Sequence, residues 1–252
     1  MNVLRSEWTK LRSVRSTWLT ALSAVVSGAA LGILGVSEVL GGTPSDLPTP
    51  WDPTATSLKG FLFAQLLVGM LGALSITPEY DTAMIGTSLS AVPSRARLLR
   101  AKALVVTAVG LATGAATTLL SFTVVQVALR GAGLPAAGPG DPGVAGALVG
   151  GTLYLTLVTL AGMAVGVLTR STTTSLAVLV GALLLVPALG PGLPGALGDW
   201  FAGYWPVTAG QAAYTVVPVD GALTPSTGLA VLVLAVDAVV VAAYAALRVR
   251  DV

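Results

Sequence analysis

The sequence contains no cysteine and no histidine. Without cysteine there is no disulfide framework, thiolate metal site or thiol nucleophile. Without histidine, a Ser-His-Asp hydrolase and an HExxH metalloprotease are excluded. A metal site could be built only from Asp and Glu, and the 11 acidic residues are too scattered to suggest one. Charge is scarce as well. Only 10% of the 252 residues are Asp, Glu, Lys or Arg, against about 25% in soluble domains. No Gly-rich loop followed by lysine occurs, so the chain carries no P-loop nucleotide site. The net charge of +2 does not indicate nucleic acid, because the basic residues fall at the ends of apolar segments.

What remains is apolar: 54% hydrophobic residues and a mean hydropathy of +0.87. A membrane-spanning helix needs about 20 apolar residues. Six segments qualify, at about 17–37, 58–77, 103–129, 144–168, 175–189 and 227–247. The chain therefore reads as one all-α polytopic membrane domain over residues 1–252. The first segment is uncharged throughout and exceeds the roughly 7–15-residue core of a signal peptide, so it reads as a retained helix. With the N-terminus inside, Arg5, Lys10, Arg12, Arg15, Arg95, Arg97, Arg100, Lys102, Arg170, Arg248 and Arg250 are cytosolic, and only Lys59 and Arg130 are outside. This excess of basic residues orients the chain with both termini in the cytosol.

Ahead of the first span, Val3, Leu4, Trp8, Leu11, Val14 and Trp18 fall within one helical arc, with Arg5 and Arg12 off it. Glu7 and Arg15 intrude on the arc. The pattern, with Trp8, Lys10, Leu11 and Arg12 in it, fits an interfacial amphipathic helix or a basic flank that only orients the span. Residues 187–226 hold six prolines with Trp200, Phe201, Tyr204 and Trp205. Irregular backbone at membrane depth must be buried or line a cavity. Short re-entrant helices in the outer leaflet fit, as does an interfacial loop anchored by its aromatics.

Glycines recur at four-residue spacing at 28/32, 110/114, 146/150 and 162/166, which suits close helix packing within one chain or between subunits. Asp237 stands alone near the middle of the last span, where a charge costs at least about 2.5–3.5 kcal/mol. It must face the bundle, a water-filled cavity or a partner, and is expected to be buried and hydrogen-bonded, with Gln65 and Gln126, the latter near a span end, as candidate neutral partners, either as a helix tie or as a proton relay or substrate contact.

Residues 77–102 concentrate Glu79, Asp81, Arg95, Arg97, Arg100 and Lys102 between two spans. A short helix over 83–89, including Met84 and Ile85, is expected to lie along the membrane. Pro93 suits the first turn of the next helix. The stretch reads equally as a docking surface for a soluble partner and as a topology-setting loop near anionic lipid.

Three segments, RSEWTKLRSVRSTW, EYDTAMIGTSLSAVPSRARLLRAK and GDWFAGYWPVTAGQA, resemble permease subunits of the ABC-2 class of ABC transporters, in composition the actinobacterial members. The resemblance implies six spans, a cytosolic connecting helix at the N-terminus, and a coupling helix between the second and third spans. That helix would dock on a separate ATP-binding subunit, in two copies, which holds the ATP and Mg. A second permease chain and membrane lipids complete the implied partners. This chain itself would bind no cofactor and catalyse no reaction. Glu79, Tyr80 and Ile85 match the coupling positions, flanked by Asp81 and Met84, and Pro93, Arg95 and Lys102 match its base. Asp81 departs from the family pattern, where many relatives carry a basic residue. The implied role is an exporter subunit in a bacterial plasma membrane. The competing readings are a proton-driven transporter using Asp237 and a membrane scaffold without transport.

Overall fold

A computed structural model describes residues 3–82, 94–218 and 221–249. Met84, Ile85, Pro93 and the helix expected over 83–89 lie outside the described residues, as does the side chain of Arg95. Among the described residues the chain is helical, with no strand. Five helices are long and apolar enough to cross a membrane: Arg15–Leu34, Ala96–Gly131, Val144–Thr169, Thr172–Gly192 and Pro225–Val249.

The helices are labelled as follows. α1 is Val3–Ser13 and α2 is Arg15–Leu34. α3 is Phe61–Leu74 and α4 is Thr77–Asp81. α5 is Arg95–Gly131, α6 is Val144–Thr169 and α7 is Thr172–Val180. α8 is Ala196–Tyr204, α9 is Pro206–Gln211 and α10 is Pro225–Val249.

The second expected span is the one that differs. Instead of one rod over 58–77, the chain forms Pro53–Ser57, a turn, α3, a second turn and α4. α3 has 14 residues, about 21 Å at 1.5 Å per residue, short of the roughly 30 Å hydrocarbon core. The lower break precedes Pro78, which has no N–H to donate to Leu74 and disfavours helical geometry in the residue before it. The upper break lies at Leu58–Gly60, where a Cβ on Gly60 would fall 2.1 Å from the Gly28 carbonyl oxygen.

α6 is the most covered span and α10 the least. α3, α5 and α10 all pack on α6, and α2 packs on α3 and α5. The main core joins Phe61 and Val68 of α3 to Tyr154, Leu155 and Val158 of α6 and to Leu232 and Val236 of α10. Of the eight paired glycines, all but Gly146 meet atoms of this same chain, so seven of these positions serve internal packing.

α5 continues without a break from Arg95 through the expected third span. Its N-terminus is capped by Ser94, whose hydroxyl accepts from the Arg97 N–H at 3.4 Å. α6 ends at Arg170, which takes the left-handed conformation at φ 54°. α7 then starts three residues before the expected boundary, and the helix continues to Gly192. The proline-broken segment forms α8 and α9 and a short turn at Ala212–Tyr214, of which α9 and that turn pack on α10 and α6. At the same end, Asp52 ties two connections together. Its Oδ1 accepts from the N–H groups of Thr54 and Ala55, and its Oδ2 from those of Val216 and Val217 at 2.7 and 2.9 Å.

Candidate functional site

The charges at the other end of the bundle converge. Leu11 of α1, Ile76, Leu99 of α5, Val167 of α6 and Leu247 of α10 share one apolar cluster. The first and last helices therefore reach the same end of the molecule. Beside this cluster lie Glu7, Lys10, Glu79 and Lys102.

Lys102 is 2% exposed, and its ammonium group has three acceptors within reach. It donates to the Ser75 carbonyl oxygen and to Glu79 Oε1, both at 2.9 Å. It also forms an ion pair with Glu7 Oε2 at 2.7 Å, off the angle of an aligned hydrogen bond. Lys10 Nζ donates to Glu7 Oε1 at 2.8 Å and to Glu79 Oε1 at 3.2 Å. Two carboxylates and two ammonium groups thus cancel, and they fasten α1 to α4 and α5. Buried charges persist only when paired and hydrogen-bonded in this way.

Glu7 was missed as a site residue, because its place on the apolar arc looked like a flaw in the pattern. It is in fact the buried member of α1 together with Leu11, while Leu4, Trp8, Arg12, Val14 and Trp18 are exposed. The arc therefore splits into a narrow edge that enters the bundle and a wider face that carries the tryptophans outward. The available signal was the spacing of Glu7 and Lys10, one helical turn apart.

Burial pushes the Glu7 carboxyl up, but Lys102 and Lys10 outweigh it and hold the group below its ordinary 4.5. Burial pushes Lys10 down, but Glu7 and Glu79 outweigh it and hold the group above its ordinary 10.5. A lowered carboxyl stabilises the docked helix above pH 4.5 and loses that contribution as pH falls through its folded value. A raised lysine contributes fully below pH 10.5 and loses it as pH rises through its folded value. Docking of α1, read from Trp8 fluorescence, is therefore expected to stay constant between pH 4.5 and 10.5 and to weaken as pH falls below or rises above that window. A transition near neutral pH would rule the quartet out as the fastening.

Three successive residues of α4 reach three different places. Glu79 enters the quartet, and its second carboxylate oxygen is buried without a donor among the described residues. The Tyr80 ring lies under the Arg170 guanidinium at 5.4 Å. Burial raises the Tyr80 hydroxyl above its ordinary value, opposed by Arg170 and assisted by Glu79. Asp81, exposed, accepts from the Thr172 hydroxyl at 3.3 Å, and that hydroxyl also bonds Thr77 Oγ1 at 2.8 Å. The turn between α6 and α7 is thereby joined to α4. Neither Arg170 nor Thr172 was singled out as a site residue from the sequence.

The polar residues within the spans are arranged differently from the expectation. Asp237 is exposed on the outer face of α10 rather than buried within the single chain. Its two expected partners are engaged elsewhere. Gln65 accepts from the Tyr154 hydroxyl and donates to the carbonyl oxygens of Leu62 and Leu183. Gln126 donates to Pro53 O and Ser57 Oγ and accepts from the Ala137 N–H. Burial of Asp237 is not reached within the single chain, because α10 has little of its surface covered by it.

A family model described as ABC-2 family transporter protein matches residues 3–187. No curated protein and no solved structure matches the chain. The match spans well over half of the 252 residues and includes all four members of the quartet, and with it this multi-pass chain belongs to the ABC-2 family of ABC transporter membrane permeases.

Proposed function

We propose that this chain is the permease subunit of an ABC exporter in a bacterial plasma membrane. It works with two copies of a separate ATPase, which bind the ATP and Mg, and with a second permease chain. The observation that carries the reading is the quartet. Glu79 lies four residues before the 83–93 stretch and Lys102 nine residues after it. They are joined at 2.9 Å, so both ends of the stretch are fixed to one rigid base that also holds α1. A push on 83–93 is then delivered to α1, α4 and α5 together. The α4 contacts with Arg170 and Thr172 extend it to α6 and α7. Closure of the ATPase dimer would supply the push, and the packed helices would switch between discrete arrangements.

α3 with its flanking turns counts as the second of six spans in this reading. The end bearing the quartet faces the cytosol, as the excess of basic residues on that side supports. α8 and α9 are the re-entrant elements of the outer leaflet. No second acid, lysine or arginine lies in mid-span to accompany Asp237, which disfavours the proton-driven alternative, because a relay needs successive proton-binding groups.

Glu79 is structural in this arrangement, so the test leaves it intact. Ile85→Asp is expected to weaken ATPase docking by about 2 kcal/mol, roughly 30-fold, as for an interface anchor. Copurification of the full chain with its native partners in mild detergent checks it. An ATP-hydrolysing subunit is expected with the parent and is expected to be depleted with the variant. A stable complex that hydrolyses no ATP would refute the assignment.

A further inference from the structure

The helix that begins as α7 changes register in mid-membrane. Residues Gly181–Leu185 form a π turn, and Val186–Leu189 resume the α conformation. The Val186 N–H bonds the Gly181 carbonyl, five residues back. In an α-helix it would have taken Ala182 O. The next residue is Pro187, which has no N–H for Leu183 O. Two successive carbonyls in an apolar helix therefore lose their α-helical donors, and an unsatisfied carbonyl in lipid costs several kcal/mol.

Both are supplied from outside the helix. Trp205 Nε1, at the junction of α8 and α9, donates to Ala182 O at 2.9 Å. Gln65 Nε2, from α3, donates to Leu183 O at 3.0 Å. Gln65 is itself held by the Tyr154 hydroxyl, and the Tyr154 ring packs in one cluster with Phe61 and Tyr214.

The two donors are not equivalent. Pro187 leaves Leu183 O without its α-helical partner whether the helix is in the π or the α register. Ala182 O lacks a donor only in the π register. Once the Val186 N–H shifts from Gly181 O to Ala182 O, the indole is no longer needed. π turns occur mostly as single turns at functional sites, and removing one turns the following segment by about 100°.

Deepening the permease reading above, on which its transport role rests, we infer that residues 181–187 form a two-register hinge in this span. Trp205 is the latch that selects the π register, and Gln65 is the pivot required in both. Release of the latch detaches Ala182 O from the α8–α9 junction, and the helix end beyond Pro187 rotates with α8, which packs on Gly190–Gly192, while α9 stays on α10. The hinge thus links the register of one span to the position of α8.

The absence of cysteine makes the test direct. Spin labels are placed at Thr174→Cys and Leu189→Cys, exposed positions on either side of the turn, in the full chain in lipid nanodiscs. The parent without nucleotide is expected to show one dominant distance. Trp205→Phe keeps the ring and removes the N–H, and is expected to raise the population of a second distance at least about tenfold. Gln65→Leu is expected to lower the unfolding midpoint without changing the ratio of the two distances. Pro187→Ala gives Leu183 O its own donor and is expected to reduce the cost of Gln65→Leu, leaving the part due to the buried Tyr154 hydroxyl, which loses its acceptor. A Trp205→Phe distribution identical to the parent would overturn the latch, and a ratio changed equally by both variants would overturn the division of roles. Adding the partner ATPase trapped with nucleotide is expected to populate the second distance. If the latch variant shifts without nucleotide but the trapped complex does not, the hinge stands and its link to ATP-driven transport fails.

Discussion

Lys102→Met is expected to destabilise the protein by about 3–5 kcal/mol, the penalty for removing one partner of a buried ion pair. The substitution keeps the apolar stem and removes a charge that is 2% exposed. Glu7 and Glu79 would then be buried near one another with only Lys10, itself 37% exposed, to oppose them. One carboxyl must take up a proton or α1 must leave the bundle. For a chain of this length the thermal midpoint should fall by roughly 10 °C, and α1 should become accessible to protease. Glu7→Gln added to Lys102→Met removes one of the stranded charges and should recover part of the loss. A Lys102→Met protein with the parent's midpoint and a protected α1 would show that the quartet fastens nothing. Lys10→Ala is the milder companion, since Lys10 is 37% exposed and solvent screens its pairing.

Gly162→Ala should cost about 3 kcal/mol, the upper end of the range for overpacking a filled site. Its added Cβ would lie 1.9 Å from the Gly69 carbonyl oxygen. The facing position is reciprocal: a Cβ on Gly72 would lie 1.9 Å from Thr159 O. Both obstacles are backbone, so no side chain can turn aside, and α3 and α6 must separate. α3 is a short helix with core residues along much of its length, and separation exposes the center of the molecule. Gly146→Ala is the control, because nothing lies within 4 Å of its added Cβ. It should be neutral or gain up to about 1 kcal/mol from helix propensity. Unfolding of the three proteins in the same detergent checks the difference, and equal midpoints would mean that α3 and α6 are not in this contact.

These residues show what was legible in the chain and what was not. The long apolar runs of α2, α5, α6 and α10 were readable because lipid imposes a length and a composition on any helix that crosses it. The interruption of the second span was not, since an apolar run looks alike whether one helix or three short ones carry it. Its causes are Pro78, which was visible, and the approach of Gly60 to the Gly28 backbone, which sequence does not announce. Glu79 and Lys102 could be chosen from their positions beside spans. Glu7 could not, because a charge on the apolar arc reads as a flaw in the pattern, and the buried partner that explains it lies 95 residues away. Pro187 marked a break, but its consequences depend on donors from residues 65 and 205. Asp237 reads as a buried residue, but the helix that carries it is barely enclosed by its own chain.

α5 has one further consequence. At 37 residues it is about 56 Å long, nearly twice the thickness of the hydrocarbon layer. Lys102 sits near one end, and Gln126, gripping both Pro53 and Ala137, sits near the other. Gly110 and Gly114, where α5 lies close against Thr159 and Thr152 of α6, are about midway between them. Such a rod works as a beam on a central fulcrum, with arms of nearly equal length. A tilt of about 5° carries each end roughly 2 Å in opposite directions, so the stroke at one face of the membrane reappears at the other with its sense inverted and its size unchanged.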